Sequence, residues 1–250
     1  MSSILKSFLM VIVLFLVNGC KEDKSPSSDC KAPFVINMDV VVGNDPLELQ
    51  TKLYTDYKER NFKVELFKFY LSNWALEKKD GSMVTLNQVN LIDFSSSSDL
   101  NIIAEIDTGS YKNIHFGIGL DSITNASDPA VFESTNPLSI AQNTYWNWAS
   151  KYKFFMIEGR VDSSGGTNPN LAFSYHTGFN NLYREVTLSL NDLMVNTNGD
   201  SLILELDISK VVDGSYGTVD FVAESFSHAT DETGITETIS NNLQNSFSIK

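Results

Sequence analysis

Residues 34–42 read Phe34-Val35-Ile36-Asn37-Met38-Asp39-Val40-Val41-Val42, and their apolar period is two. Successive side chains of a strand point to opposite faces, so Phe34, Ile36, Met38, Val40 and Val42 line one face. The run stops at Gly43-Asn44-Asp45-Pro46, a turn composition. The next run carries a slip. Phe62, Val64 and Leu66 share one phase, whereas Phe67, Phe69 and Leu71 take the other, which predicts a β-bulge near Leu66-Phe67. Lys79-Asp80-Gly81 reads as a hairpin turn. Ile114, Phe116, Ile118 and Leu120 share a face, with His115, Gly117 and Gly119 opposite. Further strands are predicted at 152–158, 171–176, 185–190 and 202–208, with turns at 163–166 and 198–200. Strands at this spacing predict an all-β fold, an antiparallel β-sandwich with one or two short helices. The C-terminal helix follows Asp231, where Ile235, Ile239 and Leu243 stand at i, i+4 and i+8. The stretch 139–150 reads as a second short helix or a loop.

Upstream of the strands the sequence carries an address. Lys6 precedes the apolar run Phe8–Val17. Ten residues span about 15 Å as a helix, half of a ~30 Å hydrocarbon core, so the run is the core of a secretory signal. Val17-Asn18-Gly19-Cys20 resembles the lipobox of bacterial lipoproteins, in which Cys20 takes the lipid. The expected organisation is a signal peptide over 1–19, a flexible tether over 20–32 and one β domain over 33–250. Lys21-Glu22-Asp23 resembles the charged tag that carries some lipoproteins to the outer face of the outer membrane. The expected location is therefore an outer-membrane lipoprotein, facing the periplasm or the cell surface. With Cys20 lipidated on sulfur, Cys30 has no partner and reads as a bystander.

Composition bounds the partners. Eighteen basic against thirty-one acidic residues give a net charge of −13, and removing 1–19 removes only Lys6. Nucleic acid is excluded as a partner, because a polyanion needs a basic patch. Sixteen Phe, nine Tyr and three Trp supply ample apolar bulk for a core. Two cysteines cannot make a disulfide scaffold or a four-thiolate zinc site.

Few residues carry recognisable chemistry. Asn198-Gly199-Asp200-Ser201-Leu202 contains the letters of a GDSL esterase motif, yet Ser201 opens a strand rather than sitting on a strand-to-helix turn, so a hairpin turn is the reading. Gly117-Ile118-Gly119 lacks the third glycine and helix start of a phosphate loop and instead permits close packing. No enzyme is expected. Only His115, His176 and His228 are histidines. Imidazole suits copper and zinc, and ligands from distant strands can meet in one site. His176 is out of phase with Leu171, Phe173 and Tyr175, and His228 falls in a loop after Phe226.

Several blocks, in order, resemble the MbnP-like copper-binding domain family. They are Phe69-Tyr70-Leu71-Ser72-Asn73 with Asp80-Gly81; Asn113 to Asp121; Trp146-Asn147-Trp148-Ala149 with Tyr152-Lys153-Phe154 and Ile157-Glu158-Gly159; Tyr175-His176-Thr177-Gly178; and Ser227-His228. Asn242 to Phe247 resembles the closing helix, and the resemblance spans about 33–250. It implies a secreted or lipid-anchored β-sandwich that holds copper for acquisition or storage. It further implies a di-haem peroxidase-like partner that oxidises a tryptophan to kynurenine. His176 and His228 match histidine motifs and become the ligand candidates. The family's first-strand histidine position holds Val40 here, although Gly43 and Pro46-Leu47 follow as in the family. The set would then be completed by His115, a carboxylate or, for Cu(I), Met38. The alternative is a surface binding or adhesion module that kept the fold and lost the metal. Trp146 and Trp148, two apart, are expected to plug one end of the sandwich, with Trp74 as the other candidate for oxidation.

Overall fold

A computed structural model describes residues 30–96, 100–147, 149–227 and 234–250, with the side chain of Asp192 left aside. In chain order the strands are β1 (Lys31–Val42), β2 (Asp45–Pro46), β3 (Tyr54–Thr55), β4 (Asn61–Lys78), β5 (Met83–Leu86) and β6 (Asn90–Asp93). There follow β7 (Asn101–Asp107), β8 (Gly109–Ile118), β9 (Tyr145–Trp146), β10 (Lys151–Val161) and β11 (Leu171–Gly178). The last are β12 (Arg184–Val195), β13 (Asp200–Asp207), β14 (Asp213–Gly214), β15 (Gly217–Thr218), β16 (Phe226–Ser227) and β17 (Phe247–Ile249). The helices are α1 (Ser122–Asn125), α2 (Ile208–Val212) and α3 (Ile235–Gln244).

Two sheets face each other. The smaller runs β17-β13-β1-β2, with β7 also on β1; the larger runs β12-β8-β4-β10-β11-β16, with β3, β5 and β6 on β4. Every second residue of β1 from Ala32 to Val42 is buried, as its period requires. Phe247 of the smaller sheet meets Phe116 and Phe69 of the larger at centroid distances of 5.2 and 6.2 Å, so rings from both layers interlock. Each such ring removed from water contributes roughly 1.5–3 kcal/mol before chain entropy is counted.

The slip in β4 is a bulge, one residue earlier than predicted. Glu158 pairs with Leu66 and Gly159 with Val64, leaving Glu65 as the extra residue. Phe62 and Val64 before it, and Phe67, Phe69 and Leu71 after it, thereby face the same core. A second bulge falls at Asn73, in the left-handed region at φ 52°, and turns Trp74 inward against Phe116.

The all-β sandwich with a C-terminal helix is as expected, and within it two pairs, β1 with β13 and β11 with β16, run parallel. Other expectations need correction. The turn at Asn198-Gly199-Asp200 is not a hairpin; it carries the chain from β12 in one sheet to β13 in the other. Gly199 has φ 86° and lies against Pro33, which explains the glycine. Strand β13 ends at Asp207, whose carboxylate caps α2 by accepting from Ser209 N. Strand β1 opens at Lys31, and Ala32 is already in the core. Cys30 is disulfide-bonded rather than a bystander. The C-terminal helix covers 235–244 and packs on α2, β11 and β12; residues 247–249 return as a strand rather than extending it. Among the described residues of 139–150, a 3-10 turn covers Ile140–Gln142 and the rest is loop and the short strand β9.

The segment between β8 and β10 lies over the outer face of the larger sheet. Tyr70, Leu120, Leu138, Tyr152 and Phe154 form a second, smaller core there. Tyr70 Oη donates to Pro137 O at 2.7 Å, Thr144 Oγ1 stands 2.7 Å away, and Tyr152 Oη donates to Leu138 O at 2.7 Å. Burial pushes the Tyr152 hydroxyl up to about 12.

Candidate metal centre

Strand β11 alternates. Phe173 and Tyr175 stack on Phe221 in the core, so Ser174 and His176 must project from the outer face. His176 pairs with Met156 of β10, and Met156 with Lys68 of β4, which pairs with Asp93 of β6. These four residues therefore form one row across the sheet. In the adjoining row Ser174 pairs with Glu158.

The His176 ring is buried and oriented. Its Nε2 lies 2.7 Å from Glu158 Oε1 and 3.3 Å from Ser174 Oγ. A carboxylate accepts, so Nε2 carries the proton toward Glu158, and in the neutral ring Nδ1 then holds the lone pair. Trp146 meets the imidazole edge-on at 5.2 Å, and Lys153 Nζ lies 4.8 Å from the Trp146 ring centroid. Burial lowers the Lys153 pKa, opposed by the nearby Glu158 charge. Lys68 is tied to Asp93 at 2.6 Å.

The expected site residues are dispersed. His228 lies outside the described residues, as do Cys20 and Trp148; β16 stops at Ser227, which pairs with Tyr175. His115 is far from His176. It pairs with Ala75 of β4, seven residues along that strand from Lys68, and because β8 and β10 follow one another along the same edge of β4 the two histidines are roughly 20 Å apart, nearly all of it along the strands. Its Nδ1 is 2.8 Å from Thr187 Oγ1 and its Nε2 faces Glu77 Oε2 at 3.5 Å, beyond a good hydrogen bond. His115 therefore does not complete a set with His176. Met38 does not either, for it faces the core between the sheets, as does Val40, while His176 is on the outer face. Trp146 plugs no end of the sandwich: it is half-buried beside His176, and the tryptophan in the core is Trp74, whose Nε1 donates to Asn90 Oδ1 at 3.0 Å.

Two neighbours of His176 had no role in the sequence reading. Glu158 and Met156 lie eighteen and twenty residues before it, and only the pairing of β10 with β11 brings them to it. A hairpin register through the 163–166 turn would have pointed to both. Among the described residues no three His, Cys, Asp or Glu side chains converge as a ligand set. Ser201 is exposed in mid-sheet, paired with Val35, and no helix follows its turn.

A mixed two-sheet sandwich with an oriented histidine on its outer face is thus the class of domain. A family model described as MbnP matches residues 31–231, and the chain belongs to that family. The matched stretch ends before α3 and β17. Among solved structures, MbnP from Methylosinus trichosporium is similar with a TM-score of 0.52 at 14% identity, covering 74% of this chain and 78% of that one. At that identity the likeness is one of fold. No curated protein matches the chain by sequence.

Proposed function

We propose that the chain is an extracytoplasmic, lipid-anchored copper-binding protein, serving acquisition or storage, with the ion held on the outer face at His176. Family membership supports the metal, and the export signal ending at Cys20 supports the location. The observation that carries the site is the 2.7 Å contact between His176 Nε2 and Glu158 Oε1. Metal-binding histidines commonly give their other ring N–H to a carboxylate, which fixes the tautomer and raises the basicity of the ligating nitrogen.

The donor types fit copper. Imidazole suits either oxidation state, and the Met156 thioether opposite His176 suits Cu(I). His228, a ligand candidate from the family resemblance, follows in sequence directly on Ser227, whose strand partner is Tyr175, the neighbour of His176. His176, His228 and Met156 are therefore the proposed ligands, with Glu158 orienting. Among the described tryptophans Trp146 is the one beside His176, and it is the one on which a di-haem peroxidase-like partner would act at this face. Cys20 is the one other cysteine in the sequence, so a lipid on its sulfur requires the Cys30 disulfide to join two chains, and a mature-chain mass showing Cys20 bonded to Cys30 overturns the anchor.

Titrating the purified full chain with Cu(I) and Cu(II) against a competing chelator tests the reading. One ion per chain is expected, bound at least tenfold more weakly by His176→Ala. Equal, weak binding by both proteins overturns it. A second reading, a surface binding module of the same fold without metal, is favoured by Val40 in the core where the family has a histidine. Unchanged thermal stability on adding copper would support that second reading.

A further inference from the structure

Two cavities adjoin on the outer face of the larger sheet, their nearer one roughly 20 Å from His176 along the strands. One, of about 370 Å³, is lined by Asn73, Trp74, Ala75, Thr85, Leu86, Asn87, Gln88, Val89 and Thr124. The other, of about 220 Å³, shares Asn73 and extends over His115, Tyr183, Glu185 and Thr187. Their combined size is that of a small-ligand site.

Local structure explains the trough. The bulge at Asn73 (φ 52°) breaks the ladder and leaves Ala75 between Thr85 of β5 and His115 of β8 on one row. A methyl group there, with taller neighbours on both sides, makes a channel floor. Gly117 lets the Tyr183 ring lie flat on the backbone, and Asn73 Nδ2 donates to Tyr183 Oη at 2.9 Å to hold the wall.

The lining has a specific chemistry. Asn73, Thr85, Asn87, Gln88, Thr124 and Thr187 present amides and hydroxyls, interleaved with apolar groups of Trp74, Leu86 and Val89 in one cavity and of Met83, Phe116 and Val186 in the other. Neither cavity is lined by Lys or Arg, and Glu185 is the one carboxylate, in a chain with thirty-one acids. Gln88 Nε2 makes no hydrogen bond, and turning its amide toward the cavity would let a ligand supply the partner, whereas His115 Nε2 already faces the Glu77 carboxylate at 3.5 Å. A planar amide offers a donor and an acceptor side by side, the complement of neighbouring hydroxyl groups. An anion finds no counter-charge here. A peptide would want a free sheet edge, and β5, which among the described residues pairs only with β4, offers one beside the larger cavity, so a peptide is the contrast that the test must separate.

We infer that this trough binds a neutral, hydroxyl-rich ligand, an oligosaccharide. The site is separate from the proposed copper site and stands without it.

Calorimetric titration of the full chain tests the inference. The probes are neutral hexasaccharides, cellohexaose, maltohexaose and chitohexaose, with polygalacturonate and a Gly-Ser-Asn-Thr peptide as contrasts. At least one neutral sugar is expected to bind with Kd of about 1 mM or tighter, and Ala75→Leu, which fills the floor, and Gln88→Leu weaken it tenfold or more. Asn87→Ala, at an exposed position, is expected to weaken it as well and serves if the other variants do not fold. His176→Ala is expected to leave sugar affinity unchanged while altering copper binding, so the two proposals fail separately. Absence of binding by every neutral sugar, preference for the polyanion or the peptide, or unchanged affinity in the trough variants overturns the inference.

Discussion

Glu158 Oε1 stands 2.7 Å from His176 Nε2 across the β10–β11 pair, one side chain part-exposed and the other buried. The carboxylate thereby selects which imidazole nitrogen can ligate. Glu158→Gln keeps the shape but removes the charge that holds the proton on Nε2. Copper affinity is expected to fall about 10–100-fold, less than for His176→Ala. Competition titration with a chelator of known affinity measures both, and equal affinity of Glu158→Gln and wild type would remove Glu158 from the site.

Trp146 lies 5.2 Å from the His176 ring and reports on it. Cu(II) added to the wild-type chain should quench part of the tryptophan emission. That part should vanish in Trp146→Phe and in His176→Ala. Quenching that survives in both would place the ion elsewhere.

Tyr70 ties the overlying segment to the sheet through Pro137 and Thr144. Tyr70→Phe strips a buried hydroxyl and leaves those partners without it. A loss of about 1–3 kcal/mol is expected, read as a lower urea midpoint with an unchanged slope. A fall in slope as well would mean that the segment detaches independently of the sheet.

A Cβ at Gly117 would fall inside the Tyr183 ring. Gly117→Ala must push that ring away and break its bond from Asn73, so a cost of about 1–3 kcal/mol is expected from urea unfolding. Sugar binding in the trough should weaken in the same variant. Wild-type stability in this variant would show that the ring is free to move.

Asp220 predicts a pH dependence. Burial alone would raise its pKa, but hydrogen bonds from Lys58, from Val222 N and from Arg60 outweigh it and hold the carboxyl well below the usual range. A depressed folded-state pKa contributes stability above the unfolded value, about 3.9, and that contribution is lost as pH falls below it. Asp220→Asn should therefore be less stable at neutral pH and lose less on acidification. Parallel acid limbs for the two proteins would contradict this.

The sequence is most legible where a physical signal is local. The period of β1, the phase slip of β4 and the i, i+4, i+8 spacing of α3 each follow from which side chains must share a face. Pairing is less legible. Whether β1 meets β13 in parallel, or whether the 198–200 turn makes a hairpin or crosses between sheets, depends on partners far along the chain. The site divides the same way. The phase of His176 against Phe173 and Tyr175 is readable from three residues, whereas its neighbours Met156, Glu158 and Trp146 come from strand register. His115 resembles His176 in sequence, both facing away from an apolar row, and only the sheet order separates them.

The parallel partnership of Phe34 with Asp200 also governs how fast this molecule can assemble. Contacts between residues so distant in sequence must be reached through a long search with no earlier reward, and chains dominated by them fold slowly. Until β13 is made, the first strand has only β7 and β2 beside it, and its other edge waits open. An open apolar edge invites pairing with another molecule. The interval between synthesis of the two strands is therefore the period of greatest exposure to aggregation in the life of the chain.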